Sequence, residues 1–245
     1  MRMIRMHSRA VLRKGVGPLL AAAACAMAGG SVAVAAGRDT HDPQLRPVAA
    51  DIQRARSLVL TTADLPRGFH IYRKYGDQLP KFTGSCGRLA DPDLSALTET
   101  ANVSAPVLAN TYSGAEYLPT ASVFASAAQA AKAQTLETGP DDVKCGISIV
   151  KSRLRLLTAP YAVTGEAQHT LARTDDGVLV RARQVILDVK VGPNFRFRLE
   201  VSFILLRHGR ALSEIRTIGP WTAATRQTWN DAVDAAARRL EHSGF

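Results

Sequence analysis

Cysteine is scarce in this chain: three in 245 residues, at Cys25, Cys86 and Cys145. No Cys-x-x-Cys pair occurs, which excludes the motif-borne zinc and dithiol chemistries. Aromatic residues make up only 6%, too few for the stacking platforms that bind single-stranded nucleic acid. No apolar run approaches the ~18 residues of a membrane span. The longest, Leu19–Ala28, covers about ten positions. There is no Gly-x-Ser-x-Gly elbow and no His-Glu-x-x-His helix, so no hydrolase or zincin is declared by motif. Gly84-Ser85-Cys86-Gly87 only superficially resembles a nucleophile loop, and it reads as a turn presenting Cys86. His70, His169 and His208 are scattered singles without ligand spacing. The acid pairs Asp141-Asp142 and Asp175-Asp176 sit where helix starts and turns are expected. No catalytic residue, metal or cofactor is assigned.

What is present begins with an address. Half of the +10 formal charge comes from Arg2, Arg5, Arg9, Arg13 and Lys14. The apolar run follows, then the breaker Gly29-Gly30-Ser31 and the small residues Ala33-Val34-Ala35. This is the order of a secretory signal. Residues 1–35 are read as a signal peptide cleaved after Ala35, giving a secreted or extracytoplasmic product. The alternative is a lipoprotein anchored through Cys25, because Ala22-Ala23-Ala24-Cys25 is a degenerate lipobox. Either route removes Cys25 and leaves Cys86 and Cys145, an even pair in an oxidising compartment. A disulfide between them would stabilise the fold by about 4 kcal/mol in the chain-entropy model.

Residues 36–50 mix proline, charge and small side chains and read as a flexible N-terminal arm. A single domain is expected over 51–245. Asp51–Leu60 has helical spacing, and His70–Tyr75, Val103–Thr111 and Glu116–Phe124 are short strand candidates. Ala125–Thr138 has no breaker and many alanines, which predicts a helix. Val143, Ile147, Val150 and Leu154 share one face of the next helix.

The second half changes texture. Gly165–Arg173, Val178–Val191, Phe195–Leu205 and Ala211–Thr217 predict a four-stranded antiparallel meander. Asp-Gly at 176–177 is the favoured hairpin pair. The apolar parity of Val178–Val191 switches midway, which predicts a bulge near Arg183-Gln184. Pro220 is read as opening a last helix, Trp221–Glu241. The fold class is therefore α+β: an antiparallel sheet, with shorter N-terminal strands, covered on one face by helices and closed by one disulfide.

Leu58-Val59-Leu60-Thr61-Thr62-Ala63-Asp64-Leu65-Pro66-Arg67-Gly68-Phe69 resembles the opening of exported actinobacterial proteins of unassigned function. Ser122-Val123-Phe124 before Ala127-Ala128-Gln129-Ala130-Ala131 is similar to their strand-to-helix step, and Arg207-His208-Gly209-Arg210-Ala211 to their hairpin. More distantly, the pattern is similar to the extracellular sensor domains of actinobacterial serine/threonine kinases and related lipoproteins. The resemblance implies an extracytoplasmic binding or sensing module and carries over no catalytic residue.

Arg181, Arg183, Arg196, Arg198, Arg207 and Arg210 are candidates for a positive patch facing anionic lipid headgroups or cell-wall polymer. A solvated sheet face accounts for the same residues. Three functions are expected in descending order. The first is a non-enzymatic binding module for a small molecule, lipid or envelope component. The second is a carrier with an apolar cavity lined by Phe197, Val201 and Trp229. The third is a hydrolase in which a histidine and a carboxylate converge on a serine or cysteine. Nucleic acid is not an expected partner, and no transmembrane span is expected in the mature chain.

Overall fold

The computed structural model describes residues 41–73, 92–139, 161–193 and 195–245, with the helical positions 144, 147, 148, 151 and 154 between them. The leader and all three cysteines, with the expected cleavage, lipidation and disulfide, lie outside the described residues.

The chain runs β1 (Gln44–Leu45), α1 (Ala49–Leu58), a 3-10 turn (Thr62–Asp64), β2 (Phe69–Arg73), β3 (Thr98–Ser104), β4 (Val107–Asn110) and β5 (Glu116–Phe124). It continues through α2 (Ala127–Glu137), β6 (Tyr161–Asp175), β7 (Val178–Val191), β8 (Phe195–His208), β9 (Ala211–Pro220) and α3 (Ala223–Glu241). Among the described residues, nine strands form one sheet in the order β1-β3-β5-β9-β8-β7-β6, with β4 also on β5 and β2 on β4. Only β1 is parallel to its partner. The fold is mixed α+β, dominated by an open and mostly antiparallel sheet.

The predicted meander is present as β6–β9. Asp176 (φ 47°) and Gly177 (φ 80°) join β6 to β7, and positive φ at both positions gives the backbone twist that a two-residue hairpin requires. Within the span read as an arm, Gln44 and Leu45 pair with Thr98 and Glu99. The last helix also starts later. Pro220 ends β9 opposite Leu199, and Thr222 caps the helix by accepting from Thr225 N at 3.1 Å.

The expected bulge at Arg183-Gln184 is absent, since β7 pairs continuously with β8 from Leu179 to Val191. The parity switch has another cause. Val178, Val180 and Ala182 pack with α1 and α3, beside Leu58, Val233, Ala236 and Leu240. Val185, Leu187 and Val189 point the other way and pack with Ile147 and Leu154. On that same second face α2 places Ala130 and Ala133 against Leu205 and Leu212. Helices therefore cover both faces of the sheet rather than one. A strand buried on opposite faces at its two ends shows two apolar parities without any extra residue.

Candidate functional site

One feature of the sheet is broken by proline. β3 and β4 are two segments of one line, both paired to the same edge of β5, and Ala105-Pro106 interrupts them. Ala105 N donates to Pro119 O at 3.0 Å. In an antiparallel ladder the N–H and C=O of one residue face the same neighbour. The N–H that Pro119 lacks would thus have faced this break as well, and prolines on both strands mark it.

The break opens an apolar groove of about 260 Å³. Val59, Leu60, Thr61 and Thr62 line it from the end of α1, with Arg56 at the rim. Ile71 of β2 and Leu108 of β4 form the opposite wall, and Val103, Ser104, Ala105 and Pro106 form the floor. Ile71 is 51% exposed, an apolar side chain left at the mouth. The Ser104 hydroxyl oxygen is buried without a hydrogen-bond partner among the described residues.

Among the described residues the outer edge of β3 is only partly paired. β1 pairs with Thr98 and Glu99, Val48 N donates to Thr100 O at 2.9 Å, and β2 takes up the line again from Val107. Ala105 faces β5, so strand alternation turns the backbone groups of Ser104 and Asn102 outward. Neither residue has an outer strand partner among the described residues.

A second depression, of about 290 Å³, is lined by Asp64, Pro66, Asp231, Asp234 and Arg238. Its acids are already engaged. Asp64 receives Arg239 at 2.8 Å, Asp234 receives Arg173 at 2.9 Å, and Asp231 receives Gln227 Nε2 at 2.9 Å. Among the described residues no three His, Cys, Asp or Glu side chains gather to hold a metal.

Glu200 of β8 is a buried carboxyl of the sheet, 3% exposed; Glu99 of β3 and Glu116 of β5 are buried as well. Ser202 Oγ (2.6 Å) and Gln184 Nε2 (2.8 Å) both donate to its Oε1. Burial pushes the carboxyl above its usual range, against these two hydrogen bonds and the Arg226 charge. The neighbouring Tyr117 phenol is pushed up by burial, then by the charges of Glu200 and Asp231. Glu200 lines neither groove.

The six candidate arginines do not share a face. Arg181, Arg183 and Arg207 alternate onto the α2 face, and Arg196 and Arg198 onto the α1/α3 face. Arg181 donates to Thr135 Oγ1 (3.1 Å), Arg207 to Gln134 Oε1 (3.3 Å) and Arg198 to Asp188 (3.1 Å). Arg210 is held by Asp51. The expected carrier cavity is also divided. Phe197 and Val201 pack in the cluster of Ile147 and Leu154, whereas Trp229 packs on the opposite face. His70 lies on β2, His169 on β6, His208 at the end of β8 and His242 after α3.

The groove leaves one local signal in the sequence. Pro106 falls inside the expected strand Val103–Thr111, and proline within such a run marks an edge or a break. The motifs that carry the family resemblance turn out to be staples. Asp64 accepts Thr61 N at 2.7 Å and Arg239 of α3, and Arg210 reaches Asp51 of α1.

No protein-family model matches the chain, and no curated protein matches it. Among solved structures it is similar to the crystal structure of the extracellular domain of PknH from Mycobacterium tuberculosis. The identity is 12% and the TM-score 0.40, over 81% of this chain and 97% of that one. No helix among the described residues is long and apolar enough to cross a membrane.

Proposed function

We infer that this chain is an exported, non-enzymatic binding module, and that the groove at the Ala105-Pro106 break is where it takes its ligand. The observation that carries this reading is the groove itself. Four separate elements supply apolar side chains to one open depression. Its volume of about 260 Å³ falls just below the roughly 300–1,000 Å³ of sites that enclose drug-sized ligands. That favours a side-chain-sized apolar group over a whole lipid, and so a binding module over a carrier.

Ala105→Trp fills the floor and tests the reading. Anilinonaphthalene sulfonate, titrated by fluorescence, is expected to bind the full chain at least ten-fold more tightly than the variant. Near-UV circular dichroism should stay the same. Equal affinities would contradict the assignment.

The reading includes export, by cleavage after Ala35 or by lipidation at Cys25, and a bridge between Cys86 and Cys145. Mass spectrometry of the mature N-terminus distinguishes the two routes. Alkylation without reductant should label neither Cys86 nor Cys145, and labelling of both would remove the bridge.

A further inference from the structure

We propose that the first half of α3, residues 223–231, is a proton-controlled flap: it stays docked while the Glu200 carboxyl beneath it holds a proton and opens when that carboxyl ionises. The device is separate from the groove, which neither Glu200 nor α3 lines.

The flap is held differently from the rest of its helix. In the second half Val233, Ala236 and Leu240 are fully buried in the core. Arg239 donates to Asp64 at 2.8 Å and to Ser57 O at 2.6 Å, and Asp234 receives Arg173. In the first half only Thr225 is buried, and its hydroxyl serves the helix cap and Pro220 O. Trp229 is half-buried, and its Nε1 is buried without a hydrogen-bond partner among the described residues. Trp221 N donates to Arg198 O at 2.9 Å, so the entry to the helix is pinned as well. Opening is therefore a local unwinding between two held ends, of the kind that weakly packed segments undergo.

What lies beneath is polar. Tyr117, Thr217, Ser202 and Gln184 stand in register across β5, β9, β8 and β7, on the face that α3 covers. Glu200 is the next residue of β8 on that face. Gln184 and Ser202 both donate to its Oε1, and no cation touches it among the described residues. Other carboxylates differ: Asp51 has Arg210, Glu166 has Lys151 and Asp188 has Arg198. A buried carboxylate without such a partner is costly, and its protonated form is much less so.

The groups around Glu200 do not supply that partner. Arg226 of α3 acts on it only at a distance, and its guanidinium lies 5.1 Å from the Trp221 ring centroid. Asp231 of α3 faces Tyr117 and brings negative charge. Arg198 shares the face but is held by Asp188. His169 of β6 stands opposite Gln184, and β9 brings Thr217 and Gly219, which do not titrate. Burial pushes the Glu200 carboxyl above its usual range, against its two hydrogen bonds and the Arg226 charge. The closed flap is therefore favoured below the unfolded value of about 4.3 and loses that advantage as pH rises through the folded one.

The test uses the full chain. Trp221 and Trp229 are its two tryptophans, so acrylamide quenching of their emission reads the flap. From pH 5 to pH 9 the quenching constant is expected to rise about two-fold or more, and to stay flat in Glu200→Gln. Amide exchange, corrected for intrinsic rate, should lose protection over residues 223–231 and keep it over 232–241. An unchanged quenching constant in the parent would overturn the inference. So would the same rise in Glu200→Gln, which assigns the effect to His169 or another group. Equal loss of protection in both halves of α3 would also overturn it, because that is global unfolding. The comparison of halves needs no variant and decides even if Glu200→Gln misfolds.

Discussion

Asp51 and Arg210 are 159 residues apart in the chain and meet in a two-pronged ion pair, Nη1 to Oδ2 at 2.7 Å and Nη2 to Oδ1 at 2.6 Å. Thr100 adds its hydroxyl to the same carboxylate at 2.5 Å. The pair ties the first turn of α1 to the β8–β9 hairpin, across β3. Asp51 is 3% exposed, so its charge depends on these partners. Arg210 lowers its pKa most, burial opposes this, and Thr100 lowers it further.

Removing one partner strands the other. Arg210→Met leaves a buried carboxylate with only a hydroxyl donor, and a loss of about 2–4 kcal/mol is expected in urea unfolding. The sign with pH follows from the lowered folded pKa. The stabilisation is present above the unfolded value of about 3.9 and is lost as pH falls through the folded value. Arg210→Met should therefore lose less stability than the parent on acidification from pH 5.

Glu200 has the opposite sign. Its folded pKa is raised, so its contribution is most favourable below the unfolded value of about 4.3 and declines as pH rises toward the folded one. Glu200→Gln keeps an oxygen to accept from Ser202 and Gln184. The variant should match or exceed parental stability at pH 7 and flatten the pH dependence above pH 5, as read by denaturation at stepped pH. A loss above about 2 kcal/mol at pH 7 would mean that the ionised form is structurally required.

The two faces of β7 can be tested separately. Val180→Ala removes packing on the α1/α3 side, and Leu187→Ala removes it on the side of Ile147 and Leu154. Each should cost about 2–3 kcal/mol. A strand buried on one face only would show one large effect and one near zero.

Gly177 separates backbone strain from packing. Its φ is +80°, and an added Cβ would meet only His208 atoms, at 3.6 Å or more. Gly177→Ala should thus cost about 1 kcal/mol through the backbone alone. A change below about 0.3 kcal/mol in thermal or urea unfolding would show that the hairpin relaxes to another turn.

The elements carried by periodicity were legible. Alternation along Phe195–Leu205 marks β8, and Asp176-Gly177 marks the β6–β7 hairpin, because both signals are local. The parity switch in β7 is visible in the sequence, where a bulge and a change of buried face look alike. Choosing between a bulge and two buried faces depends on helices that lie far away in the chain. The same limit applies to Arg210. Its charge suggested an anionic partner outside the molecule, and its partner is Asp51. The groove needed α1, β2 and the β3–β4 break together, and of these only Pro106 left a local mark.

The central claim is that the molecule binds through the Ala105-Pro106 groove. An assigned backbone NMR spectrum of the full chain, followed as anilinonaphthalene sulfonate is added, tests it most directly. The account predicts that the largest shifts fall on Leu60, Thr61, Ile71, Val103, Ser104, Ala105 and Leu108. Shifts centred on α3 around Trp229, or spread evenly over the sheet, would contradict it.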